Sequence, residues 1–159
     1  MRSPGEARTA VETVVRRAII EDRDALLDMY QTFQPRPASL GLPPNANVGE
    51  WLDRLAGYPS FVAFAGSEIA GHGVLCPENG AGEVAVFVHQ DHRGQGIGEK
   101  LLRAILDEAR RLGLSRVWGT TQLDNTPMLR LAHAMGFVRG KDPCTFHLDL
   151  QRAPSQSRP

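Results

Sequence analysis

The chain has 159 residues, 42% of them hydrophobic and 23% charged, with eighteen Lys and Arg balancing eighteen Asp and Glu. That suits one folded domain with its own core, and it leaves no net field to attract nucleic acid or an anionic membrane surface. Cys76 and Cys144 lack the spacing of a zinc site or a redox pair, no apolar run is long enough to cross a membrane, and residues 1–10 carry no apolar leader, so a cytoplasmic protein with reduced thiols and no metal is expected.

Residues 1–13 and 152–159 are polar and rich in Pro, Ser and Arg, and read as disordered tails around a domain over 14–151. The β-branched run VVRRAII predicts a first strand over 14–20. Asp22 is placed to cap a helix running to Phe33, with Ala25, Leu26, Met29 and Tyr30 turned inward. Prolines at 35, 37, 43 and 44 forbid regular helix or central strand, so this stretch is either a binding loop or a plain connector. Asn47 then caps a short helix through Ala56. Residues 61–65 and 69–76 form a hairpin across Gly66-Ser67-Glu68, 77–82 a second turn and 83–88 a fourth strand. A helix over 95–112 sets Ile97, Leu101, Leu102, Ile105, Leu106, Ala109 and Leu112 on one face, and Gly113 stops it. A strand over 116–119 follows, then a helix over 126–135 with Asp124 or Asn125 at its N-cap and Pro127 in its first turn. Strands over 137–139 and 145–150 complete the order β-α-α-β-β-β-α-β-α-β-β, an α/β chain with one mixed sheet and helices on both faces.

The stretch EVAVFVHQDHRGQGIGEKLLRAILDEARRL, residues 83–112, concentrates the chemistry. A strand runs into Arg93-Gly94-Gln95-Gly96-Ile97-Gly98 and then into a long helix. Glycine lets main chain approach a ligand closely, and the helix start offers unpaired N–H groups and a positive dipole end. Together they make a seat for phosphate or pyrophosphate. Glu99-Lys100-Leu101 is not the Gly-Lys-Ser/Thr ending of a P-loop. Hairpins, rather than repeating βαβ units, precede the turn, which disfavours a dinucleotide fold.

These residues resemble the signature of the GNAT superfamily of acyl-CoA-dependent N-acyltransferases. Its Gln/Arg-x-x-Gly-x-Gly/Ala pattern is filled by Arg93, Gly96 and Gly98. A second block, RVWGTTQLDNTPMLRLAHAMGF, is similar to the family's next strand, Asn and helix ending in Gly-Phe, here Asn125, Gly136 and Phe137. The opening RRAIIEDRDALLDMY resembles its first strand and helix, so the likeness runs over residues 14–150. It implies a GNAT-like fold, with a central, mostly antiparallel sheet split between strands 4 and 5. It also implies direct transfer of an acetyl group from acetyl-CoA to a primary amine in a ternary complex. Main-chain groups of Val86, Phe87 and Val88 would pair with the pantetheine arm. The N–H groups of Arg93, Gly94, Gln95, Gly96, Ile97 and Gly98 would hold the pyrophosphate, with charge from Arg93 itself. The Val88 N–H would be the oxyanion donor, and Asn125 would bond the cofactor arm or cap its helix.

An alkylammonium has a pKa of ~10.4 and must lose a proton before it attacks. Glu83 stands where protein-lysine acetyltransferases of this family carry a base; the other reading is an exposed strand-end glutamate. Ala132 holds the position of a Tyr found in many members, which leaves the general acid unassigned, and His133 beside it is expected to face solvent. The form N-x-x-M-L-x-L-A-x-x-x-G-F, from Asn125 to Phe137, resembles bacterial protein-lysine acetyltransferase domains and tilts the acceptor toward a protein lysine. A small-molecule amine is the alternative, and a non-catalytic acyl-CoA sensor is a separate class. The family also admits a homodimer. His89 and His92 lack a third ligand at matching spacing, and Trp51 and Trp118 read as core or groove-wall residues.

Overall fold

A computed structural model describes residues 12–34 and 47–150. The expected tails over 1–11 and 151–159, and the proline-rich stretch over 35–46, lie outside the described residues. Seven strands form: β1 Thr13–Arg17, β2 Ser60–Ala65, β3 Glu68–Glu78, β4 Ala81–Val88, β5 Arg116–Thr120, β6 Val138–Arg139 and β7 Thr145–Asp149. Four α-helices join them: α1 Arg23–Gln31, α2 Val48–Leu55, α3 Ile97–Arg111 and α4 Thr126–Ala134. They build one sheet in the order β1-β2-β3-β4-β5-β7-β6, antiparallel except for β4 beside β5. The expected mixed sheet with helices on both faces is the observed one, and β1 reaches one residue further forward than expected, pairing Thr13 with Ala65.

Each face has its own core. Ile97, Leu101, Leu102, Ile105, Leu106 and Ala109 of α3 pack on one side of the sheet with Val117, Phe137 and Phe146. Leu26, Met29, Tyr30 and Leu52 of α1 and α2 pack on the other with Val62 and Phe87. Gly71 and Gly73 let α3 lie close on β3: a Cβ at Gly71 would stand 2.9 Å from Leu101 Cδ1, and one at Gly73 2.9 Å from Ile105 Cδ1. Leu112, expected on the inner face of α3, is 41% exposed because the helix ends one residue earlier and Gly113 turns the chain at φ 75°.

The second hairpin turn is tighter than the expected 77–82. Asn79 and Gly80 both take positive φ, the two-residue geometry that suits strand twist, so β3 and β4 run up to them. Pro77 is tolerated inside β3 because it opposes Gly82 in a non-hydrogen-bonded pair, and β2 has already ended on its other side.

The first strand stops at Arg17 rather than Ile20, and Ile20 is left 84% exposed. Asp22 explains the turn. Its buried carboxylate accepts hydrogen bonds from Arg16 at 2.8 Å and from the Ile19 N–H at 2.8 Å, so it makes no side-chain cap for α1. The helix ends at Gln31 instead of Phe33, and Ala25 faces out. Asn47 likewise precedes α2 with φ 58° and without a side-chain cap.

A second buried carboxylate, Glu108 on α3, accepts from Arg111 and from Arg17 of β1 at 3.1 Å. Arg16 holds the Asp22 carboxyl below its ordinary value against the opposing effect of burial, and Arg111, with Arg17 in support, does the same for Glu108. A depressed folded pKa contributes stability that is present above the unfolded carboxylate value, about 4, and is lost as pH falls through the folded value. Urea midpoints should therefore hold from pH 7 to about 5 and fall below about 4. Asp22→Asn with Glu108→Gln should lose about 2 kcal/mol or more at pH 7 and show a flatter acid limb.

Candidate active site

Strand β4 stays beside β5 for three register pairs only: Ala81↔Arg116, Gly82↔Val117 and Glu83↔Trp118. Past Glu83 the two strands diverge, and the phase of the ladder decides what faces the gap. The His89 N–H donates to the Ala70 carbonyl at 2.8 Å, in line with the register Gly71↔Val88. Antiparallel ladders alternate, so Glu83, Ala85 and Phe87 bond β3 while Val84, Val86 and Val88 turn their N–H and C=O groups to the gap. A Cβ placed on Gly71 would meet the Phe87 oxygen at 3.0 Å, and one on Gly119 the Val84 oxygen at 3.0 Å, as this phase requires. Of the three residues expected to pair with a pantetheine arm, Val86 therefore turns both main-chain groups and Val88 its N–H to the gap, while the main chain of Phe87 faces β3.

The glycine turn follows. Gly94 and Gly96 hold φ 79° and 78°, which L side chains rarely adopt, and a Cβ at either would meet nothing within 4 Å. Among the described residues, the N–H groups of residues 94–98 donate to no other protein group. Of these residues Gly94, Gly96, Ile97 and Gly98 line a cavity of about 550 Å³ together with Arg93, Val86, Val88, Asn125 and Leu131. Ile97 also anchors α3 in the core at 1% exposure, while the Gln95 side chain is exposed and outside the lining.

Arg93 lines this cavity too, and its guanidinium also bonds protein groups beside it. Its Nε donates to the Val88 carbonyl at 3.0 Å, its NH2 group donates to the Gln34 carbonyl, and its guanidinium lies 5.5 Å from the Phe33 ring centroid. It straps the end of α1 to the end of β4. Gln90 adds to the strap by donating to the Thr32 carbonyl and accepting from the Gln34 N–H.

A second cavity, of about 270 Å³, passes through the gap between β4 and β5. It meets the first at Val86, Phe87, Asn125 and Met128. Asn125 caps α4 by accepting from the Met128 N–H at 3.3 Å, with Pro127 in the first turn. Ala132 lines this cavity, and His133 faces solvent. Glu83 lines it too; its carboxylate stays accessible, yet burial raises its pKa above the ordinary value. Burial, with the Glu83 charge in support, also raises the thiol of Cys76, its register partner on β3.

Several wall residues carry no motif: Leu55, Cys76, Thr120 and the buried Thr121. Trp51, readable as core or groove wall, is both. His89 is hydrogen-bonded to Thr32 at 2.8 Å and accepts from the Asp91 N–H. Among the described residues, no three His, Cys, Asp or Glu side chains gather as a metal site would require, and no helix is long and apolar enough to cross a membrane.

The model of the acetyltransferase (GNAT) family matches residues 23–137. The L-methionine sulfoximine/L-methionine sulfone acetyltransferase of Pseudomonas paraeruginosa is 34% identical over 108 residues, 62% of this chain and 63% of that protein. The L-amino acid N-acyltransferase MnaT of Escherichia coli is 33% identical over 90 residues, 53% of this chain and 52% of that protein. The chain thus spans less than two thirds of the length of the curated relatives it matches. The solved structure of yncA from Salmonella typhimurium with its cofactor acetyl-CoA shares the fold, with a TM-score of 0.72 at 24% identity over 89% of this chain and 96% of that one.

Seat and strap are separable by mutation. Gly96→Asp puts a charge among the free N–H groups, and should raise the Kd for coenzyme A at least about tenfold while costing only about 1–2 kcal/mol of stability. Arg93→Met should do the reverse in isothermal titration and melting: a melting point lowered by about 2–4 °C per kcal/mol lost, with a smaller change in Kd.

Proposed function

Because this chain belongs to the acetyltransferase (GNAT) family, we propose that it moves an acetyl group from acetyl-CoA to the primary amine of a small molecule. The observation that carries the reading is the meeting of two cavities at Val86, Phe87, Asn125 and Met128, one lined by Gly94, Gly96, Ile97 and Gly98 of the glycine turn and the other by Glu83. An anionic carrier fits the first, and an amine that must be deprotonated fits the second. Two relatives named for amino acid or methionine sulfoximine acylation favour a small acceptor over the protein lysine that the α4 sequence suggests.

In this reading the pyrophosphate rests on the N–H groups of residues 94–98, and the pantetheine arm runs along the exposed main chain of Val86 and Val88. The Val88 N–H faces the thioester oxygen and steadies the charge that gathers there. Glu83 takes the ammonium proton, directly or through water, and frees the nitrogen lone pair. The new N–C bond forms as the C–S bond breaks. With thiol pKa values near ~8.5, coenzyme A can leave as thiolate and take its proton from solvent, which suits the alanine at position 132.

The test is coenzyme A release by wild type and Glu83→Gln, with small amines, lysine peptides and folded proteins as acceptors. Turnover is expected on small amines, with a loss of about a hundredfold in kcat/KM for the variant. A base must be deprotonated, so the wild-type acid limb should lie above the ordinary carboxylate value; in the variant it should be replaced by a rise toward the pKa of the amine itself, ~10.4 for an alkylammonium. An unchanged profile removes Glu83 from the reaction. Turnover confined to protein lysine rejects the small acceptor, and binding of acetyl-CoA without turnover favours a sensor.

A further inference from the structure

The α2 side of the gap narrows the acceptor's chemistry, and this inference rests on the reading just given. Val74, Cys76, Glu83 and Ala85 share one sheet face, since Val74 opposes Ala85 and Cys76 opposes Glu83. Trp51 and Leu55 of α2 close over that face as walls of the same cavity. The Trp51 ring is fixed edge-on against Phe87 at 5.6 Å, Tyr30 at 5.3 Å and His72 at 6.2 Å. The groups behind it bring no charge. His72 and Tyr30 are hydrogen-bonded to each other at 2.7 Å in the core; burial pushes the imidazole pKa down to about 4 and the phenol's well up.

Glu83 is the one charged side chain among the described residues that line this cavity. Arg23, at the start of α1, turns to Asp53 of α2 at 2.8 Å and to the Gly49 carbonyl. On the next strand Trp118 stands in register with Glu83 and shares its face. The carboxylate therefore shares its cavity with the Trp51 indole, while Trp118 lies on the same sheet face outside the lining. A carboxylate with aromatic faces holds an ammonium by charge and by cation–π attraction.

We propose that the acceptor is a primary amine with an apolar body and no carboxylate beside its nitrogen. Glu83 and the Trp51 indole seat the ammonium, and Leu55, Val74 and Ala85 take the apolar body. An α-carboxylate would lie against Glu83 in a small space whose described walls offer it no cation, and like charges there repel. In this the chain parts from the relatives named for amino acid substrates. The bond changes are unaltered: the amine gains the acetyl group, Glu83 or solvent takes its proton, and coenzyme A leaves.

Matched acceptors that differ only by the carboxylate provide the test: phenethylamine against phenylalanine, tryptamine against tryptophan, and 3-methylbutylamine against leucine. At saturating acetyl-CoA each amine should exceed its amino acid in kcat/KM by about tenfold or more. Equal rates, or preference for the amino acid, overturn the inference and leave the acetyltransferase reading standing. Leu55→Arg places a cation on the wall without touching the cofactor seat. It should raise turnover of the amino acids and narrow the ratio at an unchanged KM for acetyl-CoA; an unchanged ratio denies the α2 wall any part in reading the acceptor. Trp51→Phe, which keeps a ring in the cluster, should raise the amine KM several-fold and spare the KM for acetyl-CoA. No turnover on either member of any pair, with acetyl-CoA bound, overturns the small-amine reading and this inference with it.

Discussion

Neighbouring strands satisfy each other's main chain only while they run side by side, and β4 and β5 do so for three register pairs. Beyond Glu83, β5 remains bonded to β7 and β4 remains bonded to β3, so neither can close the gap. The N–H and C=O groups of Val86 and the N–H of Val88 are left facing open space in the middle of the sheet, while the Val88 carbonyl is met by Arg93. Unmet main chain inside a protein is costly, and here a ladder phase fixed by the His89–Ala70 bond maintains it on one side only. The helices hold the gap in shape. Strand β3 admits α3 at Gly71 and Gly73, and α4 starts at Asn125 and sets Leu131 against Gly98, where a Cβ would be 3.3 Å away.

What could be read from the sequence was whatever repeats or punctuates locally. The 3.6-residue period gave the inner face of α3 from Ile97 to Ala109, and Asn125 before Thr126-Pro127 marked the start of α4. Gly94 and Gly96 announced a turn that other residues cannot make. The misses came from partners chosen at a distance. Nothing local says that Asp22 will take Arg16 rather than cap a helix, or that Glu108 will meet Arg17, 91 residues away in sequence. The same holds for Arg93. Its motif position places it in the lining of the cavity, but its bonds to carbonyls at the ends of α1 and β4 are not legible there. Phe87 was misjudged for a finer reason: strand alternation was legible, but its phase was not, because that depends on a bond between two strands.

Charge is distributed in keeping with the division between the two cavities. The seat at residues 94–98 offers hydrogen-bond donors from main chain rather than from a mobile cation, so its positive character is built into the backbone. On the other side of the gap a single carboxylate stands among apolar and aromatic walls. A donor site that welcomes negative charge and an acceptor site that welcomes positive charge can fill together without competing. In the proposed reading that arrangement would suit a ternary complex better than a shuttle through a covalent intermediate, with Ala132 at the position left without a dedicated acid.

The close contact of α3 with β3 fixes a length. Ile97 packs within the core at the very start of α3, and the same helix is pressed to the sheet through Leu101 and Ile105. In the proposed reading the anion seat and the Val88 end of the gap thus sit on one closely packed frame, whose helix and sheet would set their separation. Such a frame works as a gauge. A carrier is accepted when the span between its charged end and its reactive carbon matches the frame, whatever the reactivity of that carbon. On that reading small activated acyl compounds, acyl phosphates among them, would reach the seat or the reactive point but would not bridge the two. Selection for a long-armed donor is then a property of helix-on-sheet packing, set far from any atom that reacts.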